Sequence, residues 1–216
     1  MVLAVATTHV GNAAHVLALT AAILVIVWVV HYGGGANLNS SNPDLIFNVH
    51  PLVMTLGFIL VIGEAIMVYK TVPTQKTVQK GIHMMLQLVA LGLGILGIYA
   101  AFKYHKENQI PNMYSLHSWL GICTISLFAL QWVFGFVNFW FPGAPPTTRA
   151  MMLPVHTTAG VVIFLMAICT AETGFMEKGA GGPGPETTLI NFSGLFILLF
   201  GLVVCTSTAL PRLLSL

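Results

Sequence analysis

Six apolar runs, each about the length that crosses a bilayer, constrain this chain more than any other feature. They lie at 13–31, 50–69, 82–102, 117–140, 155–175 and 189–209. At 1.5 Å rise per residue, about 20 helical residues cross a hydrocarbon core of about 30 Å. Lipid offers no partner to exposed backbone groups, so each run is predicted to be helical. Loops rich in Pro, Gly, Asn and Thr separate them. Charged residues make up only 6% of the chain and hydrophobic ones 56%, against about 25% charged in soluble domains. Such a chain cannot clothe a soluble surface. The expected fold is an all-α integral membrane protein of six transmembrane helices, forming one domain over 1–216. The first run lacks a basic leading region and a small-residue cleavage site, so it is read as a retained helix. The net charge of +2 gives no sign of nucleic acid as a partner; membrane lipid is the expected surround. Cys123, Cys169 and Cys205 all fall in apolar runs without a CxxC pair and are expected to be packing residues.

Lys and Arg set the expected orientation. Lys70, Lys76, Lys80, Arg149 and Arg212 fall on one side, and Lys103, Lys106 and Lys178 on the other. The bias places both termini in the cytosol. Asn39-Ser40-Ser41 matches the N-glycosylation pattern and falls on the opposite side.

Of eight histidines, four recur at the start of successive runs: His50, His83, His117 and His156. Pro51 follows the first, Pro154 precedes the last, and Ser115 is a candidate N-cap for His117. All four are therefore expected in first helical turns. Successive helices alternate in direction, so His50 and His117 belong at the non-cytosolic face and His83 and His156 at the cytosolic face. The two levels are about 20 Å apart along a helix. Ligands of one metal must share a depth, so His50 pairs with His117 and His83 with His156. This predicts a four-helix bundle of helices 2–5 holding two b-type haems in its core. No C-x-x-C-H motif is present, so the haems are expected to be non-covalent. Gly121 and Gly160 each lie four residues after a ligand. They would leave room for a flat macrocycle or for close helix packing, and the residues alone leave both open. Glu64, inside helix 2 near the inner haem, is either functional or a structural hydrogen-bonding group. His9, His15 and His31 have no matched partner and are read as interfacial.

Four stretches resemble the cytochrome b-561 family, transmembrane ascorbate-dependent ferric and monodehydroascorbate reductases, in its plant form. Gly63-Glu64-Ala65-Ile66-Met67-Val68-Tyr69-Lys70 resembles the family's GEALLVYR stretch. Lys80-Gly81-Ile82-His83 resembles its K-x-x-H. Asn112-Met113-Tyr114-Ser115-Leu116-His117-Ser118-Trp119 resembles its S-x-H-S-W region. Arg149 stands seven residues before His156, as in the family. Lys70 stands where many members have Arg; the charge survives but bidentate contact with a haem carboxylate is lost.

The resemblance implies an oxidoreductase. It would pass electrons from cytosolic ascorbate through both haems to monodehydroascorbate or a ferric chelate. It implies that Lys76, Lys80 and Arg149 bind ascorbate, with Lys80 nearest the haem; as bare charge, the same cluster reads as positive-inside bias. Lys70 is expected to meet a haem propionate. Asn112, Met113, Tyr114 and Ser115 would line the outer haem. Glu177 would line it too, taking a proton or bonding a propionate. Lys103, His105 and Tyr114 would form the acceptor site. An endomembrane such as the vacuolar membrane, and a homodimer, follow by the same analogy. Two other readings use the same histidines: a proton or metal transporter, and a passive haem-carrying subunit.

Overall fold

A computed structural model describes residues 2–213 of the chain, and side chains over 9–208; the Arg212 side chain lies outside the described residues. Six helices are long and apolar enough to cross a membrane: α1 His9–Tyr32, α2 Pro43–Thr71, α3 Lys76–Glu107, α4 Leu116–Phe139, α5 Pro146–Gly179 and α6 Pro185–Thr208. No strand occurs among the described residues. The protein is all-α and multi-pass.

Helices α2, α3 and α5 begin earlier than hydropathy suggests. Polar, interfacial turns precede the apolar runs, and proline favours the first helical position. Pro43 follows an Asn42 cap whose side chain accepts from the Asp44 N–H, and Pro146 opens α5. Pro154 is therefore interior to α5; a membrane helix tolerates this when the freed groups find other partners. The expectation that all four histidines occupy first turns is corrected accordingly. His117 does, behind a Ser115–Ser118 capping box. His50, His83 and His156 sit deeper in their helices.

Helix α2 is irregular just past His50. Residues Val53–Leu60 are π-helical, and regular α-helix resumes at Val61. Buried Asn48 anchors the approach: its Nδ2 donates to the Gly33 and Gly35 carbonyls at 2.9 and 2.8 Å. Gly35, at φ +106°, takes a backbone conformation that a side chain would strain.

Helices α2, α3, α4 and α5 form a ring in which each packs on its neighbours, and the fourth side closes from α5 to α2. Helices α2 and α4 thus face each other across one diagonal, and α3 and α5 across the other. Helix α1 packs on α2 and α6, and α6 also covers α5. Between the two ends of the ring two aromatic rings fill the core. Phe58 and Phe128, 2% and 5% exposed, meet edge-to-face at 5.1 Å. Small residues bring α2 and α3 close: Gly94 lies against Phe58, and Gly97 against Met54.

Candidate functional site

The two diagonals bring the four histidines together as two pairs. The rings of His50 on α2 and His117 on α4 have centroids 5.8 Å apart and planes at 86°. Those of His83 on α3 and His156 on α5 are 6.4 Å apart at 73°. Three of the rings are fixed by a carbonyl on the adjacent helix. His50 Nδ1–H donates to Gly97 O at 2.9 Å, His83 Nδ1–H to Ala65 O at 2.8 Å, and His117 Nδ1–H to Thr170 O at 2.8 Å. Nδ1 is thereby occupied and Nε2 is the nitrogen left to bind a metal. The levels are separated by the 14 residues from His83 to Gly97, about 21 Å of helix.

These contacts follow a pseudo-two-fold axis relating α2 to α4 and α3 to α5. Gly97 lies 14 residues after His83, and Thr170 lies 14 after His156. Ala65 lies 15 after His50, the extra residue being accommodated by the π-helical stretch. The matching place on α4, 14 residues after His117, is Gln131. There the side chain, not the carbonyl, meets the ligand: its amide lies 3.0 Å from His156 Nδ1 and its Nε2–H donates to His156 O at 2.6 Å.

The glycines nearest the imidazoles are Gly135 and Gly174. A Cβ on Gly121 or Gly160 would make only ordinary contact, 3.5 Å from Thr170 and Gln131. On Gly135 it would come within 2.9 Å of the His156 ring, and on Gly174 within 2.7 Å of the His117 ring. This second glycine set lets a histidine on one helix lie against the backbone of its neighbour.

The donor set fits haem. Each pair is two imidazoles whose ring centroids, 5.8 and 6.4 Å apart, leave space to flank one metal atom, as bis-histidine ligation requires. Lys70 Nζ is buried at the C-terminal end of α2 with no hydrogen-bond partner among the described residues, as expected of an ammonium whose partner is a cofactor carboxylate.

At that end the cations gather. Lys80 Nζ donates to the Phe139 carbonyl, where α4 terminates, at 3.0 Å. Arg149, half-buried, stands in the first turn of α5, and Lys76 is exposed at the first residue of α3. At the opposite end His105, Asn112 and Tyr114 come together. The His105 Nδ1–H donates to Asn112 Oδ1 at 3.1 Å, and the His105 and Tyr114 rings lie 6.1 Å apart. Tyr114 is 67% exposed. Met113 takes a positive φ of 58° and its carbonyl accepts from Trp119 Nε1–H. Lys103 instead donates to the Leu38 carbonyl at 2.7 Å and lies 3.7 Å from Glu107. Glu177 is exposed, and its neighbour Lys178 lies over the Phe47 ring.

Three polar groups take places that the sequence reading did not assign them. His15 is not a lone interfacial residue: its Nδ1 lies 2.9 Å from Glu64 Oε2, joining α1 to α2 within their spans. Glu64 thus points to α1, while the carbonyl of the next residue holds His83. Glu172 Oε1 is buried without a partner, and Gly194 on α6 makes room for its carboxylate. Gln131 is the third. Only its offset from His117 could have flagged it.

Comparison with known proteins adds independent findings. A family profile described as eukaryotic cytochrome b561 matches residues 49–181. The chain is 48% identical over 206 residues to a probable ascorbate-specific transmembrane electron transporter 1 of Oryza sativa subsp. japonica, covering 92% of this chain and 88% of that one. It is 47% identical over 204 residues to transmembrane ascorbate ferrireductase 1 of Arabidopsis thaliana, covering 91% and 85%. A plasma membrane ascorbate-dependent reductase of Mus musculus is 36% identical over 201 residues, covering 88% and 69%.

Proposed function

The chain belongs to the eukaryotic cytochrome b561 family, and from that premise we propose that it carries electrons across a membrane, from ascorbate through two non-covalent b-type haems to an acceptor on the far side. It is a membrane oxidoreductase of a haem-b family. His50 and His117 would hold one haem, and His83 and His156 the other. The observation that carries this reading is the meeting of four histidines as two pairs at two depths. Iron bound this way supplies a reversible one-electron couple with no open coordination position.

The protein's own groups supply the rest. Lys80 and Arg149 bind and orient the anionic donor, and Lys76 attracts it from solution. Lys70 holds a propionate. Asn112, Met113, Tyr114, Ser115 and Glu177 line the outer haem's mouth. His105 and Tyr114 present a hydrogen-bonding surface to the acceptor, monodehydroascorbate or a ferric chelate. The excess of Lys and Arg supports a cytosolic Lys80 end and cytosolic termini. A single domain over 1–216, an endomembrane such as the vacuolar membrane, and a homodimer rest on the family resemblance. A proton or metal transporter is disfavoured, because pairs about 21 Å apart form neither one metal site nor a relay.

The test is haem content of the purified chain. Two haems per chain, both extracted by acidified acetone and reducible by ascorbate to a low-spin b-type spectrum, are expected. One haem, or covalent haem, would show the pairing to be wrong.

A further inference from the structure

Gln131 stands apart among the groups that hold the four imidazoles. His50, His83 and His117 each rest on a main-chain carbonyl, which no substitution alters and which cannot turn. His156 rests on a side-chain amide that can do both. The pseudo-two-fold axis puts this amide where Ala65 presents its carbonyl to His83, so the two ligands of one haem are held by different kinds of group.

We infer that Gln131 is a positioning residue for His156: with iron on Nε2, its side-chain carbonyl accepts the Nδ1–H of His156 and thereby sets the potential of the cytosolic haem apart from that of the outer one. The inference rests on the bis-histidine reading above. A neutral imidazole that binds metal through Nε2 keeps its proton on Nδ1, which is then a donor. An amide nitrogen offers no lone pair for that proton, whereas the amide oxygen does. A half-turn about the last side-chain bond exchanges the two, which have nearly the same shape. The turned oxygen must also draw back from the His156 carbonyl, which now accepts from Nε2 at 2.6 Å and can still accept along its own helix. Toward Gly160 no side chain opposes that movement. A Cβ on Gly160 would be 3.5 Å from Gln131 Nε2, and the actual residue is a glycine. An oxygen that draws on the Nδ1–H raises the basicity of the ligating nitrogen. The oxidised iron is thereby favoured and the potential lowered.

The test is an equilibrium redox titration of purified holoprotein, with the two haems resolved by their absorption bands and by electron paramagnetic resonance. His83→Ala, which should remove the cytosolic haem, identifies its signals. In Gln131→Leu the acceptor is gone; the cytosolic haem should move to higher potential and its resonance signal should shift, while the outer haem stays in place. Gln131→Glu keeps an acceptor oxygen and loses the amide nitrogen; there the cytosolic haem should remain at or below its wild-type potential. If Gln131→Leu retains no cytosolic haem, Gln131→Glu decides alone: haem held at or below the wild-type value supports the role, and haem lost or raised overturns it. An unshifted cytosolic haem in Gln131→Leu, or equal shifts of both haems, overturns it as well. If His83→Ala and His156→Ala delete different signals, the pairing itself has failed, which none of the Gln131 outcomes mimics.

Discussion

Lys80 illustrates how much a single side chain could do at the proposed haem mouth. One of its three N–H donors is used by the Phe139 carbonyl at 3.0 Å, which fixes the ammonium at the end of α4. Two donors remain for an anion. It also lies three residues before His83, nearly one turn. Lys76 is a further turn away and exposed, so it acts through charge that salt screens within about 10 Å at 0.1 M. Lys80→Ala should slow ascorbate reduction of the cytosolic haem by roughly ten-fold or more, about 1.4 kcal/mol. Lys76→Ala should cost less, and its effect should vanish at high salt. Dithionite should reduce both variants as it does the parent. Stopped-flow absorbance at two ionic strengths measures this; a parental ascorbate rate in Lys80→Ala with both haems in place would remove the donor site from Lys80. The His15–Glu64 contact shows the same economy elsewhere, since a carboxyl group inside a span is costly unless it is hydrogen-bonded.

Between helices, the recurrent unit is an antiparallel pair in which each member steadies the other's histidine. Helix α3 holds His50 through Gly97, α2 holds His83 through Ala65, and α5 holds His117 through Thr170. Close approach within the α4–α5 pair depends on Gly135 and Gly174. A methyl added at either would fall inside 3.0 Å of an imidazole carbon, and the imidazole is already tied at Nδ1. Overpacking of this kind costs about 1–3 kcal/mol. Gly135→Ala should therefore weaken or distort the cytosolic haem, and Gly174→Ala the outer one. Gly92→Ala is the control, because nothing lies within 4 Å of its added carbon. Alanine favours a helix over glycine by about 1 kcal/mol, so a purely local effect would have the opposite sign. Haem stoichiometry and the reduced spectrum of each variant decide between these. Loss of the same component from both would contradict the assignment of one glycine to each ligand pair.

For the whole molecule, two histidine pairs about 21 Å apart along the helices, each holding a haem as proposed, would place the electron path in series. Phe58 and Phe128 meet in the core between them. In proteoliposomes loaded with ascorbate, an external impermeant ferric chelate should be reduced. Either His50→Ala or His156→Ala should lower that rate to the leak of protein-free vesicles, although each retains one haem. External chelate absorbance over time is the measurement. A single-haem variant that still transfers at half the parental rate would rule out a serial path.

What could be read along the chain were properties decided locally. Bilayer thickness and the need to satisfy backbone bonds act on each segment separately, so six spans and their alternation were visible in the runs of apolar residues. Depth follows from position along a helix, so the choice of which histidines could meet was visible too. Helix starts were misjudged, since interfacial turns such as Lys76 to Lys80 and Thr147 to Arg149 are helical without being apolar. Rotation about each helix axis was not encoded in any pattern: spans apolar on every side carry no marked polar face to reveal which residues look inward. Only the packed bundle decided that Glu64 turns to His15, that Gly135 and Gly174 lie against the imidazoles, and that Gln131 meets His156. Those contacts depend on which neighbour stands beside each face, and that is settled when the ring of four helices closes.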